Sequence, residues 1–238
     1  MKKTDILDII YDRYDQWVRQ FTVVCRPACR TCCTQNVTMT AVEGEEILDY
    51  ARREGLGEWL GETLVNAAET EPSPMTTNQF AAACLCGQET ECTWPANRAP
   101  CPLLADDLCR IYEARPFVCR LFVSTRHCLT EGAATMPDGY AGVASAICQV
   151  IEHLGQRQYW GNMADVLLAL LARPEYEDIA RTVAPKKITE ARAKLLVAEP
   201  LPGFLLDERE AALAAPLFNA ISQSVIDGKT VGAILNGG

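Results

Sequence analysis

Four cysteines fall within nine residues, Cys25-Arg26-Pro27-Ala28-Cys29-Arg30-Thr31-Cys32-Cys33. At spacings of two and three, all four thiols can turn toward one point, because the residues between them form a tight turn. Zinc takes thiolates at about 2.3 Å in a closed tetrahedron. Iron–sulfur clusters are held through similarly close spacings. Adjacent cysteines such as Cys32 and Cys33 seldom both bind one mononuclear ion, so this pair points to a polynuclear centre or to two ions. A second group follows, in Pro100-Cys101-Pro102-Leu103-Leu104, Cys109-Arg110-Ile111-Tyr112-Glu113 and Arg115-Pro116-Phe117-Val118-Cys119-Arg120. Gaps of eight and ten residues leave room for loops or one helical turn between ligands. Pro116 fits the first turn of a short helix that presents Cys119 from one face. Cys128 brings the set to eight, the number two four-thiolate sites need.

The whole chain has 12 cysteines in 238 residues. In a small secreted protein that richness reads as a disulfide framework. A chain of this length with 49 % apolar residues builds a core without such staples. The N-terminus begins with lysines, but Asp5, Asp8 and Asp12 interrupt any apolar stretch, so no secretory leader is expected. No run of about 18 apolar residues marks a membrane span. The expected location is a reducing, bacterial-type cytoplasm, where clustered cysteines serve metal or redox chemistry. A net charge of −9 argues against a nucleic-acid partner, which needs a basic surface to neutralise phosphates.

The expected fold class is mainly α, with cysteine-rich metal-binding loops and short extended segments packed on a helical scaffold. Ile6, Ile9, Ile10, Tyr14 and Trp17 recur at helical spacing and predict a helix over 4–19. Residues 36–39 read as extended. Thr40 with Glu43 three residues later forms a capping-box signature, starting a helix that Gly55 closes. Further helices are predicted over 59–68, 139–154, 160–173, 187–198 and 207–226. Residues 70–100 read as irregular, because Pro72, Pro74, Pro95 and Pro100 break them; they carry Cys84, Cys86 and Cys92. After residue 130 cysteine nearly vanishes and Ala and Leu take over. The expected organisation is therefore a metal-binding region over 1–130 and a helical region over 131–238 packed against it.

The paired motifs, C-x3-C-x2-C-C and then C-P-L-L, C-x-I-Y-E-x-R-P and C-R, resemble the YkgJ-type cysteine-cluster family, described as zinc- or iron-chelating. The resemblance spans roughly residues 25–122. It implies that Cys25, Cys29, Cys32, Cys33, Cys101, Cys109 and Cys119 are metal-associated, and it implies no settled reaction. A similar module occurs in the larger flagellin lysine methylases, so kinship with those enzymes is a further reading.

Other chemistries fit less well. Cys29-Arg30-Thr31-Cys32 is formally a C-x-x-C redox pair, but Pro27 and the flanking cysteines do not suit a strand–helix unit. C-x3-C-x2-C also occurs in radical enzymes, which place it after a strand in a βα barrel; here a helix precedes it. Gly228-Lys229-Thr230 lacks the first glycine of a phosphate loop, since position 223 is Gln. Asp106-Asp107 reads as a turn. His127 is a possible nitrogen ligand beside Cys128, and His153 lies on a helix, apart from the site. Arg110, Arg115 and Arg120 are placed to offset thiolate charge, or else to pair with surface acids.

Two functions follow. One is an iron–sulfur centre, of the [4Fe–4S] kind, or a zinc centre, redox- or enzyme-associated and served by a protein or redox partner. The other is a structural zinc module whose metal only folds the loops while the helical half contacts a partner.

Overall fold

A computed structural model describes residues 1–88 and 99–237. Cys92 and Pro95 lie outside the described residues. In chain order the elements are α1 (Lys3–Val18), β1 (Thr38–Thr40), α2 (Ala41–Arg53), α3 (Gly57–Asn66), α4 (Thr77–Leu85), β2 (Leu104–Ala105), β3 (Leu108–Cys109), α5 (Phe117–Leu121), α6 (Cys128–Glu131), α7 (Tyr140–Leu154), β4 (Tyr159–Asn162), α8 (Met163–Leu170), α9 (Glu177–Ala180), α10 (Pro185–Ala193), β5 (Leu196–Val197), α11 (Glu208–Gln223), β6 (Val225–Ile226), β7 (Lys229–Thr230) and α12 (Val231–Leu235). The protein is mainly α, as its periodicity predicts. No helix among the described residues is long and apolar enough to cross a membrane.

The capping box at Thr40 forms in full. Its hydroxyl accepts the Glu43 amide at 3.3 Å, and Glu43 Oε2 accepts the Thr40 amide at 2.8 Å. Three expectations are corrected. Residues 70–100 are not irregular throughout, because Thr76 and Gln79 form a second capping box that starts α4. The proline count had masked that T-x-x-Q signature. The helix predicted over 160–173 opens as β4, because its aromatic start pairs with two neighbours and Asn162 then caps α8 by accepting the Ala164 amide at 3.0 Å. The helix predicted over 187–198 stops at Ala193, and the chain turns into β5.

β1, β4 and β5 make one antiparallel sheet with β4 central, in the register Met39 opposite Gly161 and Trp160 opposite Leu196. A small hairpin, β6–β7, turns at Asp227-Gly228, both with positive φ, as a tight two-residue hairpin turn requires. The Gly228-Lys229-Thr230 tripeptide is its second turn residue followed by its return strand.

Two apolar cores form, each drawing on residues before and after position 130. In one, α1 buries Ile6, Ile10, Tyr14 and Trp17 against α7 and α11. In the other, α2 and α3 pack on α8, whose residues are buried on every side. Seven of its eight residues are apolar and so have to be enclosed, while the eighth, Asp165, accepts from the Thr70 hydroxyl. Gly44 allows the close crossing of α2 and α8: a Cβ there would lie 2.6 Å from Leu170 Cδ1 and 3.2 Å from Val166 Cγ1. Gly44→Val is therefore expected to destabilise the fold by about 2 kcal/mol through overpacking, read as a lower denaturation midpoint. An unchanged midpoint would mean that the crossing is looser than drawn.

Candidate metal centre

The first cysteine loop is pinned at both ends. The Val24 amide donates to Ser124 O at 2.8 Å, and Asn162 Nδ2 donates to Gln35 O at 2.7 Å. Inside it, the Cys29 amide donates to Arg26 O and the Cys33 amide to Arg30 O, giving two successive turns. Ala28, inside the first of them, takes a positive φ of 69°. The second segment then pairs directly with the first. The Gln35 amide donates to Ala99 O at 2.9 Å and the Cys101 amide to Cys33 O at 3.1 Å, with Thr34 opposite Pro100. Backbone pairing alone thus brings the two cysteine segments side by side.

Cys109 follows from a hairpin. β2 and β3 turn at Asp106-Asp107, whose φ values of 50° and 64° fit a type I′ turn. The turn predicted for the two aspartates is present, and Asp107 also forms an ion pair with Arg30 across the two segments. Cys119 sits on α5, with Pro116 at the cap, one residue before the first turn in which it was expected.

Seven thiols line one cavity of about 380 Å³: those of Cys25, Cys29, Cys32, Cys33, Cys101, Cys109 and Cys119. Apolar side chains, among them Leu103, Ile111, Val118 and Met163, complete its wall. All eleven described cysteines are free thiols. As drawn, no three His, Cys, Asp or Glu side chains among the described residues stand close enough to hold one ion. The thiols surround the space without forming a finished coordination shell.

Burial and mutual contact set their acidities. Cys32 donates to Cys33, which holds the Cys33 thiol below its ordinary value and pushes Cys32 up. Burial pushes Cys101 up to about 11 and raises Cys25, Cys109 and Cys119 as well. Arg115 opposes the rise at Cys109 and Cys119. Its guanidinium lies 3.8 Å from the Tyr112 ring centroid, and both residues line the cavity. Arg120 also lines it, bonded to the Glu113 and Arg115 carbonyls and to Asp15 at 3.1 Å. Arg110 instead stacks over Trp59 at 5.8 Å. Arg26, unremarked in the sequence, takes a place in the wall; its position between two ligand candidates was the available signal.

Cys128 does not line the cavity. It begins α6, near enough to Cys25 for its charge to raise that thiol. His127 is the cap residue of α6. Cys84 and Cys86 close α4, and Cys148 lies on α7. His153 is structural: its Nδ1 accepts the Leu201 amide at 3.1 Å, so Nε2 donates to Leu235 O at 2.7 Å.

A family model, "CxxCxxCC: Putative zinc- or iron-chelating domain", matches residues 24–149. No curated protein and no solved structure matches the chain.

The raised thiols set a pH dependence. A thiol harder to ionise when folded supports the fold below its ordinary value of 9.0, and that support is lost as pH rises toward the folded value, about 11 for Cys101. The metal-free protein is therefore expected to lose stability between pH 9 and 11, followed by chemical denaturation. Metal-loaded protein, with its ligand thiolates already ionised, should change less there. Equal pH profiles for the two forms would contradict the assignment of these thiols as ligands.

Proposed function

The chain belongs to the CxxCxxCC family of zinc- or iron-chelating domains, which covers more than half its length, and from that premise we propose that its cysteine cavity holds a polynuclear iron–sulfur centre. The observation that carries this reading is the convergence of seven thiols from two separate segments on one cavity. A mononuclear zinc site takes four ligands and closes around them. Seven soft donors, two of them adjacent in sequence, suit a larger centre. The donor chemistry fits the group, since seven soft sulfur donors line the wall and Arg115 offsets thiolate charge at Cys109 and Cys119.

A bound iron–sulfur cluster supplies one-electron chemistry at a potential set by its surroundings. The chain's own residues perform the rest. The Cys32 hydrogen bond holds the Cys33 thiol below its ordinary value, which favours its thiolate form. Arg115, held over Tyr112 and bonded to its carbonyl at 2.7 Å, keeps positive charge beside Cys109 and Cys119. Leu103, Ile111 and Val118 exclude water from one side. Cys29 and Cys32, exposed on the outer loop, would supply ligands from the other side. A redox partner protein approaches from that side, in a reducing cytoplasm where the thiols stay free.

Anaerobic purification tests this. The expected product is brown, with broad visible absorption and with iron and acid-labile sulfide in similar amounts. Colourless protein carrying zinc alone would overturn the iron–sulfur reading. Cys148→Ala, on α7, is expected to leave metal content unchanged; loss of metal there would show that a thiol outside the cavity belongs to the centre.

A further inference from the structure

Glu43 is buried, at 3 % exposure, in a region where a carboxylate needs full compensation. It has that compensation. Oε2 accepts from the Thr40 amide at 2.8 Å and from its hydroxyl at 3.0 Å. Oε1 accepts from the Tyr11 hydroxyl at 3.0 Å and from the Phe117 amide at 2.8 Å. The first pair is an ordinary capping box. The second reaches two elements remote in sequence, α1 and α5.

The Phe117 bond has a consequence for the cavity. Phe117 is the first residue of α5, so its amide has no partner within the helix. Glu43 supplies one from another helix. Two residues on, Cys119 projects into the cavity wall. Arg120 follows and lies 4.2 Å over the ring of Tyr11, the other group bonded to Glu43 Oε1. The segment Phe117–Arg120 is thus tied to α1 and α2 through one carboxylate oxygen and its phenol partner. A five-residue helix has too few internal bonds to hold its own place.

We propose that Glu43 is a positioning residue for the metal centre: its carboxylate fixes the start of α5 and thereby the place of the Cys119 thiol. The inference rests on the cavity being a metal site, but the position of Cys119 can be read with or without metal.

Replacing Glu43 with Gln keeps the volume but turns one acceptor oxygen into an N–H2 group, which faces donors. Tyr11→Phe is the milder variant, removing one of the four bonds and keeping the Phe117 bond. Leu217→Ala empties a buried position on α11 that makes none of the Glu43 hydrogen bonds, and serves as a control that loses stability. In metal-free protein, alkylation of each cysteine is followed by peptide mapping. Glu43→Gln is expected to speed alkylation of Cys119 about tenfold relative to Cys101, with Tyr11→Phe moving it less and in the same direction. Leu217→Ala should leave that ratio as in the parent chain. In loaded protein, Glu43→Gln is expected to lower metal affinity about 10- to 100-fold, the range for residues that orient ligands, and to alter the visible spectrum.

An unchanged Cys119:Cys101 ratio in both the Gln and Phe variants would overturn the inference, as would a shift of equal size in Leu217→Ala. If Glu43→Gln does not fold, the Tyr11→Phe ratio decides. A parent chain that takes up no metal would instead overturn the proposed function, while the alkylation ratio would still judge the role of Glu43.

Discussion

Two backbone hydrogen bonds, from Gln35 to Ala99 and from Cys101 to Cys33, make one site of two motifs. The motifs lie far apart in sequence, and these two bonds set the register between them. Pairing places Cys33 beside Cys101, and the hairpin and short helix that follow bring Cys109 and Cys119 to the same cavity. The bonds are ordinary in strength, each worth about 1 kcal/mol net. Their importance is geometric, because every later thiol is placed relative to that register. The Arg30–Asp107 ion pair spans the same two segments on the exposed side, where screening leaves it a small contribution.

The rest of the molecule holds this pairing in place. α8 begins where the first cysteine segment ends, and the Met163 amide donates to Val37 O at 2.8 Å. α1 lies against α5 through Tyr14 and Phe117, whose rings meet edge to face at 4.6 Å. Tyr14 also lines the cavity and shares a hydrogen bond with Tyr140 of α7. Helices from both ends of the chain therefore support a site whose ligand candidates all come from its first half. Metal binding adds to this support, because ligation energy is folding energy when the ligands are held by loops.

Much of this was legible in the residues. Cysteine spacing marked eight candidate thiols, of which seven line the cavity and Cys128 does not, and Thr40 with Glu43 marked the start of α2. The same capping signature at Thr76 and Gln79 was equally readable, but nearby prolines outweighed it. β4 was misread because the apolar face of Met163, Val166, Leu167, Leu170 and Leu171 was extended back to residue 160, and only strand pairing with β1 and β5 distinguishes the two elements. The wider role of Glu43 could not be read locally. Its capping partner is three residues away, whereas Tyr11 and Phe117 lie 32 and 74 residues away. Arg26 and Arg110 illustrate the same limit, since which arginine faces the thiols depends on loop turns that composition does not encode.

The central claim is that both segments serve one centre, and metal stoichiometry in a double-variant cycle tests it most directly. Cys33→Ala and Cys109→Ala each remove one thiol, from opposite sides of the backbone pairing. If one centre is shared, each single variant loses most of its metal and the double variant loses no more than either. If the losses instead add, with each single variant retaining the metal of the other segment, the two motifs serve separate ions and the shared centre is wrong.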